Sequence, residues 1–117
     1  MSVVEQHARA HIVTDVLDED RGAVPVALRY DPDRDPHCVR VAFPGAAAEW
    51  DVARDLLERG LRAPVDRGGI RVWPCGRVQT VVEFHTARGV SVVQFDTKTL
   101  TRFLRRTYAA AAEPVPH

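Results

Sequence analysis

Over residues 3–14 apolar side chains recur with a period of two. Val4, Ala8, Ala10 and Ile12 fall on one side, and Glu5, His7, Arg9 and His11 on the other. That alternation predicts a half-exposed strand. Asp18-Glu19-Asp20-Arg21-Gly22 reads as a polar turn, and a second strand follows from about Val24 to Tyr30, with Pro25 suited to a sheet edge. Asp31-Pro32-Asp33-Arg34-Asp35-Pro36 is a rigid turn into a third strand at His37–Phe43, where Val39, Val41 and Phe43 share a face. A fourth strand near Glu49–Val52 runs into a helix whose stripe is Val52, Ala53, Leu56, Leu57 and Leu61. Asp51 is the expected N-cap of that helix and Gly60 its expected stop.

After Gly68-Gly69 the pattern gives strands at Ile70–Trp73, Val78–Thr86 and Val90–Phe95, turned at Pro74–Arg77 and Arg88-Gly89. They form an expected antiparallel meander. Asp96 then caps a closing amphipathic helix, with Leu100, Phe103, Leu104 and Tyr108 along one side. The expected fold class is therefore α+β: about seven mostly antiparallel strands and two helices, in the order four strands, helix, three strands, helix. One domain spans residues 1–108, and residues 109–117 form an Ala/Pro-rich tail expected to be flexible.

Length and composition narrow this picture. A chain of 117 residues with 45% hydrophobic and 27% charged residues builds one core and is not disordered in type. No apolar run approaches the roughly 20 residues needed to span a bilayer. The first residues lack the basic and apolar regions of a signal peptide, so the cytoplasm is the expected compartment. The net charge is zero but polarised: residues 1–66 hold 13 acids and 8 bases, residues 67–117 hold 3 acids and 8 bases. Such a dipolar chain suits charge-steered protein contacts better than nucleic acid.

Candidate chemistry is sparse. Asp31, Asp33 and Asp35 have the opening spacing of a calcium loop, but Pro36 and Ala42 stand where that loop needs Gly and Glu. His7 and His11 on one strand lie roughly 13 Å apart, too far to share a metal. Cys38 and Cys75 read as small packing residues, with a disulfide or metal role as the lesser alternative, and no helix start or basic cradle is evident around Cys75. No catalytic set, metal or cofactor is implied. The closing helix carries Lys98, Arg102, Arg105 and Arg106, which could meet phosphates. A nucleic-acid reading also needs exposed aromatic platforms, whereas Phe95, Phe103 and Tyr108 follow the buried periodicity. Trp50, Trp73, Leu56 and Leu57 are expected core residues.

Four segments add a different kind of information: LRYD at Leu28–Asp31, EWDVARDLLERGL at Glu49–Leu61, RVWP at Arg71–Pro74 and FLRRT at Phe103–Thr107. In this order and spacing the set resembles the SsgA-like sporulation and cell-division regulators of actinomycetes. The resemblance covers roughly residues 3–108. It implies a fold similar to the whirly-type single-stranded nucleic-acid-binding proteins and a homotrimer. It also implies a non-catalytic role at division septa during sporulation, which in one branch of the family recruits the tubulin-like protein FtsZ. The expected partners are thus further copies of the chain, FtsZ-type division proteins or another SsgA-like protein, without membrane insertion. Arg29, Arg54 and Asp55 lie in the family-like segments; they form either a structural charge network or a partner-facing surface. The alternative function is a single-stranded nucleic-acid binder using the whirly-like sheet and the basic closing helix.

Overall fold

The computed structural model describes residues 3–12, 24–43, 49–87 and 89–111. Its elements are β1 (Val4–Ile12), β2 (Val24–Tyr30), β3 (Cys38–Ala42), β4 (Glu49–Ala53), α1 (Arg54–Gly60), β5 (Val65–Arg67), β6 (Ile70–Cys75), β7 (Gln79–Thr86), β8 (Gly89–Asp96) and α2 (Thr97–Ala111). Among the described residues all eight strands join one curled antiparallel sheet, in the order β4-β3-β2-β1-β8-β7-β6-β5. The α+β class holds, with one strand more than the pattern predicted. The added strand is β5, a three-residue piece in which only Val65 is apolar, too short to show a period. It pairs with β6 through a two-residue loop, Gly68-Gly69, with φ of 59° and 83°. Two successive positive φ angles match the twist of a tight hairpin, and glycine adopts them without cost from a Cβ.

The two halves of the chain meet where β1 pairs with β8, over Ala10–Ile12 only. On the concave face, alternate residues of every long strand point inward. Ala8, Ala10, Val26, Leu28, Val39, Val41, Val52, Val72, Val82, Phe84, Val93 and Phe95 are all buried there. Leu56 and Leu57 of α1 and Leu100, Phe103 and Leu104 of α2 complete the core. The curl brings β3 and β4 over β7: Trp50 lies 4.6 Å from Phe84 between ring centroids, and Phe43 meets Phe84 edge-on at 5.9 Å. Burying each large side chain contributes about 1.5–3 kcal/mol, so this seam anchors the closure of the sheet.

Several local expectations change. Asp51 is not a helix cap: β4 remains extended to Ala53, and Asp51 sits opposite Arg40 of β3. Strand pairing prevails there over helix initiation. α1 does end at Gly60, though without a left-handed turn, since Leu61 after it is still right-handed. The glycine is needed for close approach instead, since a Cβ at residue 60 would fall inside the Val72 side chain of β6. Trp73 is not in the core. It stands opposite Val81 on the convex face, half-buried, with its indole N–H donated to the Glu83 carboxylate. Asp96 does cap α2, accepting the Lys98 backbone N–H at 3.2 Å. That helix continues past Tyr108 to Ala111, and the residues from 112 onward lie outside the described residues, as does the Asp18–Gly22 turn.

Candidate docking surface

Because strands alternate, every residue flanking a core position faces the convex side of the sheet. On β1 to β4 these outward residues form cross-strand rows: Glu5 opposite Arg29, Arg29 opposite Arg40, and Arg40 opposite Asp51. Glu5 accepts from Arg29 Nη1 at 3.1 Å. Arg40 lies between Asp51 at 3.3 Å and Glu49 at 3.6 Å. Ala27 and Ala42 are paired in the middle of this ladder. Their small side chains leave a shallow charged saucer of about 570 Å3, lined also by Asp31, Arg34, Asp35 and Cys38.

The turn leading into the saucer is held by its own aspartates. Asp31 accepts the Asp33 backbone N–H at 3.1 Å, and Asp35 accepts that of His37 at 2.9 Å. The His37 amide, and then the Cys38 thiol, hold the Asp35 carboxyl below its ordinary range. Burial, followed by the hydrogen bond with Asp35, pushes the Cys38 thiol up, so it stays protonated and a poor nucleophile. These aspartates therefore organise a turn. Among the described residues no three His, Cys, Asp or Glu side chains converge as a metal site would require.

Arg29, Arg54 and Asp55 are not brought together. Arg29 belongs to the ladder. Asp55, at the start of α1, takes a two-pronged contact from Arg67 of β5 at 3.2 Å, which holds its carboxyl low and raises the guanidinium. Arg54 turns inward and forms a clasp. Its Nη1 donates to the Tyr30 hydroxyl at 3.1 Å and to the Thr107 carbonyl at 3.4 Å. Its guanidinium lies 3.9 Å from the Tyr108 ring centroid and 5.1 Å from that of Tyr30. Tyr30 Oη in turn donates to the Pro36 carbonyl at 3.0 Å, and Tyr108 Oη donates to Glu58. One arginine thus links β2, α1 and α2, so its position supports the fold.

On α2, Lys98, Arg102 and Arg105 are exposed along one side, whereas Arg106 reaches back to Gln6 Oε1 at 3.2 Å. Arg102 also borders a second opening of about 720 Å3, shared with His7, Arg9 and His11 of β1. This opening was not anticipated. The alternation of β1 announced the outward stripe, but only the tertiary pairing places Arg102 across from it. No helix among the described residues is long and apolar enough to cross a membrane.

Comparison with known proteins agrees with this architecture. The family described as Streptomyces sporulation and cell division protein, SsgA, matches residues 24–114. The chain is 34% identical to sporulation-specific cell division protein SsgB of Streptomyces coelicolor, over 92% of this chain and 82% of that protein. It is 38% identical to SsgB of Salinispora tropica, over 80% and 71%. A solved structure from work on SsgB mutations and longitudinal cell division during sporulation of Streptomyces coelicolor superposes with a TM-score of 0.79. It shares 31% identity and covers 93% of this chain and 88% of that one. The crystal structure of an SsgA-like sporulation-specific cell division protein from Thermobifida fusca gives 0.77 at 27% identity, covering 95% and 84%. The strand order, the two helices and the four sequence segments therefore have one common source: the chain belongs to the SsgA family of sporulation and cell division proteins.

Proposed function

We propose that this protein is a non-catalytic regulator of sporulation-specific cell division that works by docking to proteins of the division septum. The observation carrying this reading is the convex face of the sheet. It offers a broad, shallow field of ordered charges, with Ala27 and Ala42 as its floor. Ordered surface charge steers encounter and fixes register between proteins. The relatives' names as sporulation-specific cell division proteins supply the process. The family resemblance suggests a homotrimer and an FtsZ-type partner. Repeated copies of one docking face would raise avidity for a filament without a strong single contact. Fluorescent tagging in the native sporulating cell tests the reading. Ladder-like septal foci are expected, and a diffuse signal rejects it. Light scattering tests the oligomer, and a strict monomer would remove the avidity argument.

A second reading, single-stranded nucleic-acid binding, draws on the exposed row Lys98, Arg102 and Arg105 of α2. It expects micromolar, salt-sensitive oligonucleotide binding that weakens when Arg102 and Arg105 are replaced. Equal affinity of the wild type and that double variant would dismiss it.

A further inference from the structure

The opening beside β1 has a construction different from the saucer. β1 is paired with β8 only from Ala10 to Ile12. Toward Val4 it parts from β8, and α2 lies alongside instead, tied by Gln6 Nε2 to the Thr99 carbonyl at 3.2 Å and by Arg106 Nη1 to the Glu5 carbonyl at 3.5 Å. The groove left between them has His7, Arg9 and His11 on one wall and Arg102 on the other. Its one acidic lining residue is Asp96, already occupied as the cap of α2.

The neighbouring outward arginines of the ladder, Arg29 and Arg40, each face a carboxylate. His7, Arg9, His11 and Arg102 have no hydrogen-bonded or ion-paired partner among the described residues. Beside the ion pairs Glu5–Arg29 and Arg40–Asp51 on the same face of the sheet, this cluster offers basic donors to something outside the fold.

We infer that this groove binds an extended acidic segment of a partner protein. The inference rests on the docking reading above and names the partner's chemistry. Alternate residues of β1 stand about 7 Å apart, the same repeat as alternate side chains of an extended peptide. A segment with carboxylates at every second position therefore meets His7, Arg9 and His11 in step, while Arg102 closes over it from the helix. Guanidinium groups hold carboxylates in paired, planar contacts, which favours acidic side chains as the recognised groups. Single-stranded nucleic acid fits less well. The groove's lining contains no Phe, Tyr or Trp ring as a broad stacking platform for bases, and Phe95 and Phe103, which lie nearby in the sequence of the same elements, are buried.

Fluorescence anisotropy with a labelled peptide of alternating glutamate and serine tests this, at low and near-physiological salt. Saturable binding is expected that weakens as salt rises. Arg9→Gln and Arg102→Gln should each weaken it by about two- to fivefold, as partly exposed ion pairs do. Both side chains are exposed, so thermal melts of the variants should overlay the wild type and exclude misfolding as the cause. Absence of binding by the acidic peptide overturns the inference, as does binding that both substitutions leave unchanged. An oligothymidylate that binds more tightly than the peptide overturns it in favour of nucleic acid. Cellular imaging separates this outcome from failure of the docking reading. Wild-type septal foci without peptide binding defeat the groove alone, whereas diffuse wild-type protein defeats the docking function itself.

Discussion

Arg54 and Arg29 come from adjacent family-like segments and carry the same charge, yet they occupy opposite situations. Arg54 is partly buried between two tyrosine rings, bonded to a hydroxyl and a main-chain carbonyl, and joins three elements. Arg29 lies on the convex face, half exposed, against an equally exposed Glu5. In the clasp, low surrounding dielectric and fixed ring faces strengthen each contact and make a lost partner costly. On the ladder, water screens the attraction and side-chain entropy opposes it. The difference teaches where the fold keeps its stability and where it keeps its freedom to meet a partner.

The strongest test of that contrast is Arg54→Ala. It removes a charged hydrogen-bond donor and a ring-stacked cation together, and leaves the Tyr30 hydroxyl oxygen and the Thr107 carbonyl without the donor they accept from. A loss of about 2–4 kcal/mol is expected in urea unfolding. A loss within the surface range would show that the clasp is no different from the ladder. Arg54→Lys sharpens the comparison. The ammonium keeps its attraction to the Tyr108 ring but cannot reproduce the planar fork, so roughly half of that loss should return. A smaller effect belongs to the ladder. A double-mutant cycle on Glu5→Ala and Arg29→Ala should give a coupling of about 0.2–1 kcal/mol that fades in high salt. A coupling as large as that of the clasp would break the distinction.

These differences were only partly legible in the sequence. Alternation located β1, β2 and β3 well because their core face is apolar except for Gln6 and their outward face carries the charges Glu5, Arg9, Arg29 and Arg40. It missed β5, whose three residues hold a single apolar side chain. It also misjudged Trp73, because a tryptophan beside a buried valine looks like core until the pairing with Val81 and Glu83 puts it on the outer face. Local capping rules worked at Asp96, where the chain is free to turn, and failed at Asp51, where β3 holds the backbone extended. The segment around Arg54 marked it as notable, but its partners Tyr30 and Thr107 are distant in the chain. Only the curl of the sheet brings them together. The groove beside β1 was hidden for the same reason: one wall is written in a strand period, the other in a helix at the far end of the chain.

Acid and alkali separate the two regions by the sign of their response, and these are the smallest effects expected. In the surface pair, Arg67 holds the Asp55 carboxyl below the usual carboxylate range. A carboxyl lowered by folding adds stability that is present above its unfolded value and lost as pH falls through the folded one. Asp55→Asn should therefore lower the neutral and alkaline plateau slightly and flatten the acid limb of the stability curve, leaving the alkaline slope unchanged. In the clasp, the hydrogen bond to Glu58, then burial, raises the Tyr108 phenol above its ordinary range. A phenol raised by folding adds stability that is complete below its unfolded value and disappears as pH rises through the folded one. Tyr108→Phe should accordingly remove part of the alkaline decline and leave the acid limb unchanged. Tyr108 is 40% exposed, so solvent screening keeps that change small. Urea midpoints measured from pH 3 to pH 11 in both variants decide the matter: opposite limbs moving in the two proteins support the division, whereas both substitutions acting on one limb would show that a single electrostatic network spans the clasp and the surface.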